Sequence, residues 1–354
     1  MKRIVALLLV LSMIISMSSF VLAESGKEVA PKKSLPFGIT EMVDENNRIV
    51  RVYERKLDDT NQEQLNRSFS SVDIYAETKE LLLALGMEQD FIDNISEDDL
   101  KGYSNSESLV GTIAYTKTDA QNNVVYLEES AAIREAKVAR EERAKKNKTL
   151  HATNGKKNAL QTTIVQEKYE DSYMRLYHLV SYFGDGSFLY STDARWLTMP
   201  FFRGKDSIGS CAQNGTVTYS TRSGYYEYDY MTLSTGGYVS SGRKNISSSY
   251  FKEAINGSFY GSAAIVDLPN NVNSGSLMRY YSNYKAHYQY QGHVNYPGQV
   301  SNFNSIGSYD HSKVTITVTP SVSIGLSGAS PTIGLDIAGT TETRSAKVEV
   351  KYIP

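Results

Sequence analysis

Hydrophobic and polar residues alternate with a period of two through much of the chain after residue 160. Helical spacing is confined to a few stretches before it. Residues 173–182 and 188–191 flank Gly184-Asp185-Gly186-Ser187, which is a hairpin pattern. Tyr226, Tyr228 and Tyr230 alternate with Glu227 and Asp229, giving one aromatic and one acidic face. Tyr284, Ala286, Tyr288 and Tyr290 alternate in the same way with Lys285, His287, Gln289 and Gln291. Strands of this kind, separated by turns rich in Gly, Asn and Ser, predict an antiparallel, sandwich-like all-β domain over 161–354.

The residues before it read as a small mixed α/β region, 24–127. Runs at 38–43 and 48–53 surround a turn at 44–47, and runs at 110–118 and 124–127 surround a turn at 119–123. Between them, Asp73 is placed to cap a helix that ends at Leu85, with Gly86 as its stop. Ser96 is placed to cap a second, short helix, with Asp99 at the capping-box distance. The clearest helical run is 128–146. It is Ala-rich, with acids early and bases late. Its large apolar residues are few, so it reads as an exposed arm running into a Lys- and Asn-rich linker that ends near residue 160. The overall class is therefore α+β: a small α/β region, a charged helix and linker over 128–160, then the all-β domain.

The most distinctive alternation lies near the C-terminus. Between Lys313 and Asp336 there is no charge. Val314, Ile316, Val318, Val322, Ile324 and Leu326 fall on one face, with Pro320 in the same phase. Thr315, Thr317, Thr319, Ser321, Ser323 and Ser327 fall on the other. Ile333, Leu335 and Ile337 resume the alternation after a turn signal at 328–331, and Ala346, Val348, Val350 and Tyr352 form a third strand. Such a pair suits the inner face of a sandwich. It also suits a membrane-inserting β-hairpin, which needs about 9–11 alternating residues per strand with small polar residues toward the lumen. Pro320 donates no ladder hydrogen bond, which favours the first of these.

Composition adds an address. Lys2 and Arg3, the apolar run 4–17 and Val21-Leu22-Ala23 have the order of a secretory signal peptide cleaved after Ala23. The expected location is extracellular. The formal net charge is -2, and loss of Lys2 and Arg3 takes it to -4. That excludes nucleic acid as the expected partner. Of the 26 Tyr, only Tyr53, Tyr75, Tyr103, Tyr115 and Tyr126 precede residue 160, so the β domain is strongly Tyr-rich. Cys211 is the only cysteine, so no intrachain disulfide forms, and it reads as a small buried hydrophobe.

Candidate chemistry is sparse. There is no Gly-x-Ser-x-Gly elbow, no pair of His one helical turn apart with a Glu, and no phosphate-cradling Gly loop. No metal ligands, cofactor or catalytic residues are assigned, which points away from an enzyme. A secreted hydrolase with a dispersed site is the weakest of three expectations. The first is a non-catalytic binding protein that engages a cell surface or glycan through Trp196, Tyr226, Tyr228, Tyr230, Tyr288 and Tyr290. Aromatic side chains give large contact area at low entropic cost. The second is a β-pore-forming toxin or bacteriocin-like effector that inserts the 314–337 pair into a membrane.

Overall fold

The computed structural model describes residues 33–55, 71–119, 123–154, 171–200, 203–232, 238–274, 277–294, 302–312, 321–327, 330–335 and 341–351. The expected leader at 1–23, and Val314, Ile316 and Val318, lie outside them. In chain order the elements are β1 (Lys33–Ser34), β2 (Thr40–Val43), β3 (Ile49–Glu54), α1 (Ser71–Leu85), α2 (Gln89–Ile92), α3 (Glu97–Ser104), β4 (Ser108–Thr118), β5 (Val124–Leu127) and α4 (Glu129–Asn154). The chain continues with β6 (Ser172–Tyr182), β7 (Ser187–Thr198), β8 (Lys205–Gln213), β9 (Thr218–Thr232), β10 (Tyr238–Asn245), β11 (Phe251–Asn256) and β12 (Phe259–Asp267). It ends with β13 (Val272–Ser274), β14 (Leu277–His293), β15 (Asn302–Ser312), β16 (Val322–Ser327), β17 (Ser330–Leu335) and β18 (Thr341–Lys351).

The protein is mostly antiparallel β-sheet with a few helices. A large eleven-stranded sheet has the order β1-β2-β3-β4-β6-β7-β14-β9-β10, with β5 added to β4 and β13 to β14. A smaller sheet has the order β11-β12-β8-β15-β18, and β16 and β17 pair only with each other. Four layers result. The helices α1 to α3 pack on one face of the large sheet through Leu82, Leu85, Phe91, Ile92, Leu100 and Tyr103. The small sheet covers the other face, enclosing Trp196, Tyr190, Tyr288 and Tyr290 with Ile208, Ala264 and Tyr309. The β16–β17 hairpin covers the far side of the small sheet.

Local chemistry explains many boundaries. Asp44 Oδ1 accepts from Asn46 N and Arg48 N in the β2–β3 turn, and Asp119 Oδ1 accepts from Asn123 N in the β4–β5 turn. Ser96 accepts from Asp99 N at 3.1 Å, as a helix cap should. Gly86 ends α1 with φ +103°, and its carbonyl receives the guanidinium of the buried Arg175. The β6–β7 hairpin turns through Gly184 and Gly186, both at positive φ.

Three findings depart from the sequence expectation. Helix α1 already includes Asp73, which is therefore not its cap. Helix α4 is not a free arm. Its small side chains Ala132 and Ala136 are buried against the large sheet, while Ile133 and Val138 point outward. Arg143 then donates to the carbonyls of Met199 and Asp171. An Ala stripe permits close helix-to-sheet approach where larger residues would not, so counting large apolar residues underestimated its docking. Finally, the large sheet runs without a break from the N-terminal strands into the later ones, because β4 pairs with β6 from Ser108↔Tyr182 to Thr118↔Ser172.

Between the two sheets, His178 is fully buried and bonds the Ser191 carbonyl, Thr192 Oγ1 and Ser305 Oγ. Burial lowers its pKa from the usual 6.5 to about 3. The unfolded chain takes up this proton below about pH 6.5 and the folded one does not, so stability falls as pH drops from there toward 3. One such proton contributes a slope of up to about 1.4 kcal/mol per pH unit. Thermal unfolding across this window should show His178→Gln with a visibly flatter pH dependence than the wild type. Parallel curves would exclude His178 as the source.

Candidate functional site

Strands β15 and β18 are neighbours, paired in register from Asn302↔Lys351 to Ser312↔Thr341. The segment 313–340, uncharged from Val314 to Leu335, leaves the ladder at that end and returns to it. Within the segment, β16 and β17 pair from Val322↔Leu335 to Ser327↔Ser330. This hairpin is folded back over the small sheet, against β11, β8 and β15. Of the membrane-insertion candidates, Val322 and Ile324 are buried there, and Leu326 lies in β16 opposite Pro331.

The floor beneath the hairpin is small and apolar. Cys211, Ala263, Ile265 and Ile306 pack against Val322, Ile324 and Ile333. Two glycines permit the approach. A β-carbon on Gly261 would lie 2.9 Å from Ile333 Cδ1, and one on Gly334 would lie 3.0 Å from Asp310 Cβ. Polar tethers join it as well: Asn256 Nδ2 donates to the Ile324 carbonyl at 2.8 Å, and Ile333 N donates to Ser308 Oγ at 3.4 Å. Burial pushes the Cys211 thiol up to about 12, so it stays protonated and packs as a small hydrophobe.

The six aromatic candidates separate into two groups. Trp196, Tyr288 and Tyr290 are core side chains, at most 3% exposed, and offer no platform to a ligand. The strands that carry them lie inside the large sheet and beneath the small one. Trp196 Nε1 donates to Tyr309 Oη, which donates in turn to Asp206. Tyr290 donates to the Ser210 carbonyl. Tyr226, Tyr228 and Tyr230, in contrast, form a row on β9 next to the edge strand β10, with ring centroids 6.3 Å apart at each step. Tyr228 and Tyr230 are half-buried, and Tyr226 is more deeply set.

Tyr281 joins this row, 5.3 Å from Tyr228 and 5.9 Å from Tyr230. In an unbroken strand Tyr281 and Tyr284 would face opposite ways. A bulge between Ser282 and Lys285, with Asn283 at φ 50°, brings both to the tyrosine face. Asn283 is the only sequence signal for it, because Asn tolerates that backbone conformation.

Two cavities flank Tyr228. One, of about 460 Å³, is lined by Asp90, Arg195, Glu227, Asp229, Arg243 and Lys285 among others. Its charges are largely matched. Asp90 bonds both Lys285 and Arg195, Arg195 also meets Glu88 at 2.9 Å, and Glu227 meets Arg243 at 3.4 Å. Lys285 and Arg195 together hold the Asp90 carboxyl below its usual range. This is a tie between the α2 turn and the sheet. The second cavity, of about 330 Å³, is lined by Arg203, Lys205, Tyr226, Tyr228, Lys244 and Asp267 among others.

Among the described residues no three His, Cys, Asp or Glu side chains gather as metal ligands. His287 bonds the buried Asp193, and His293 bonds Ser187. Compared with known proteins, the chain matches no family model and no curated protein.

The hairpin contact is directly testable. Ile333 is fully buried in the floor contact. Ile333→Ala should cost about 2–5 kcal/mol at that contact. Hydrogen exchange should then show 322–335 losing protection while β6, β7 and β14 keep theirs. Unchanged protection of the hairpin would mean that Ile333 does not hold it down.

Proposed function

We propose that the chain is a secreted pore-forming protein that crosses a lipid bilayer with strands, and that residues 313–340 are its membrane-crossing hairpin. One observation carries this: an uncharged amphipathic hairpin is inserted at the end of two paired antiparallel strands and folded back on a greasy floor. Released from that floor, the segment continues the β15–β18 ladder without a change of topology. In that register Ile316 stands opposite Ile337, and Val318 opposite Leu335. The apolar row then meets lipid and the Ser/Thr row lines a lumen.

A single hairpin cannot stay in hydrocarbon, because its two edges carry unpaired backbone groups. Several copies must therefore close a barrel, so the reading requires an oligomer. The mixed α/β segment before residue 128 then buttresses the large sheet outside the membrane. The expected leader at 1–23 delivers the chain to a foreign membrane or cell surface. The binding role expected of the tyrosines is complementary to pore formation, since insertion follows attachment.

Dye release tests the proposal. A β-carbon at Gly334 would lie 3.0 Å from that of Asp310, so the strands need part only slightly to reach the separation of about 3.5–4.5 Å found in disulfides. In a Cys211→Ala background, Asp310→Cys with Gly334→Cys should lock the hairpin when oxidised and free it when reduced. Vesicles of phosphatidylcholine and cholesterol should leak only with the reduced form. Ser323 is exposed and belongs to the polar row, so Ser323→Lys should fold normally, still leak, and shift ion selectivity toward anions. The proposal fails if wild-type protein, before or after limited proteolysis, releases no dye. Equal leakage by oxidised and reduced forms, or unchanged selectivity with Ser323→Lys, would also overturn it.

A further inference from the structure

The lining of the second cavity holds an excess of positive charge. It carries Arg203, Lys205 and Lys244 against one acid, Asp267, in a chain whose net charge is -2. Lys205 is paired with Asp267 at 2.7 Å. Arg203 and Lys244 have no ion pair among the described residues. Arg203 is fixed by the Pro269 carbonyl, Asn271 Oδ1 and the Tyr281 carbonyl, all accepting from Nη1. Burial, and then the like charge of Arg143, lower its pKa to about 10. A cation held in place, partly desolvated and beside another cation is a preformed anion site.

The same cavity has an aromatic wall. Tyr226 and Tyr228 line it, Lys244 lies over the Tyr226 ring at 6.0 Å, and Tyr281 backs Tyr228. Gly242 stands opposite Tyr228 on β10 and leaves room for its ring at the sheet edge. Burial and the neighbouring Asp267 push the Tyr226 phenol up to about 12, so at neutral pH it keeps its proton and can donate it. Flat rings suit the apolar face of a pyranose, and fixed cations suit a carboxylate or sulfate on it.

We infer that this cavity, between the start of β8, the end of β12 and the tyrosine row of β9, binds an acidic saccharide. The sugar ring packs on Tyr226 and Tyr228, and Arg203 and Lys244 hold its anionic group. The site lies outside the hairpin and its floor, and the inference does not depend on pore formation. It replaces the buried Trp196, Tyr288 and Tyr290 with two cations, Arg203 and Lys244, that alternation alone did not single out.

Calorimetric titration of the intact protein decides it, with 3′-sialyllactose and a heparin-derived sulfated disaccharide as probes and lactose and inorganic phosphate as controls. At least one acidic sugar should bind about tenfold or more tightly than either control. Lys244→Gln, Arg203→Gln and Tyr228→Ala should each weaken it about tenfold, with unfolding temperature followed alongside. Lys101→Gln, on α3 behind the large sheet, should leave it unchanged. Because Arg203 also bonds three groups of the fold, Arg203→Lys provides a second variant that retains charge and part of the affinity. No binding of either acidic sugar overturns the inference. So does phosphate binding as tightly as the sugars, lactose binding equally, or full affinity in Lys244→Gln and Tyr228→Ala together.

Discussion

The apolar contact between the β16–β17 hairpin and the small sheet constrains much of the structure around it. The hairpin has one apolar face and must bury it. The floor it uses is itself the back of a sheet whose front is already packed against Trp196, Tyr190 and Tyr288. Strands β8 and β15 are therefore covered on both faces, and nearly every residue from Asp206 to Ala212 and from Ser305 to Ser312 is buried. Two layers must approach a strand whose own side chains leave little space, which explains its run of Ser, Gly, Ala and Cys. Large residues there would push the hairpin off or force the two sheets apart.

That double burial also explains what the sequence does not reveal. A strand covered on both faces loses its polar phase, so β8, β12 and β15 carry no period of two and escape a search for alternation. Strands with a half-open face, such as β9 and the hairpin itself, are legible because their polar phase survives, whereas β6, buried along its whole length, is legible through the glycine turn that follows it. Helix caps and turns are legible too, since Asp44, Ser96 and Asp119 act through neighbours a few residues away. The Ala face of α4 is not, because burial of a small residue depends on what the rest of the fold brings to it.

The tyrosines mark the limit most clearly. Alternation says which residues share a face, but not what covers that face. Tyr288 and Tyr226 belong to the same face of the same sheet. Strand β14 lies between β7 and β9 beneath the small sheet, whereas β9 is one strand from the edge. The same residue type in the same pattern is core in one case and half-open row in the other. Tyr281 requires a bulge to join that row, and the cations Arg203 and Lys244 come from separate segments. The cavity is thus assembled by long-range topology, with only its aromatic wall written locally.

Parity links the two arrangements that the pore reading requires of the hairpin. Folded back, Val322 faces Leu335 and Ile324 faces Ile333. Continued from β15 and β18, Val318 faces Leu335 and Ile316 faces Ile337. The shift between the two registers is an even number of residues. Apolar residues therefore stay opposite apolar ones, and no side chain changes face. An odd slip would turn the whole apolar row to the polar side. Release thus exchanges one apolar cover for another. It also strips Cys211, Ala263, Ile265 and Ile306 of their lid, and this exposed floor is costly in water. On this reading the hairpin stays down in the isolated chain, and lipid for the hairpin together with a neighbouring copy for the floor is what tips the balance.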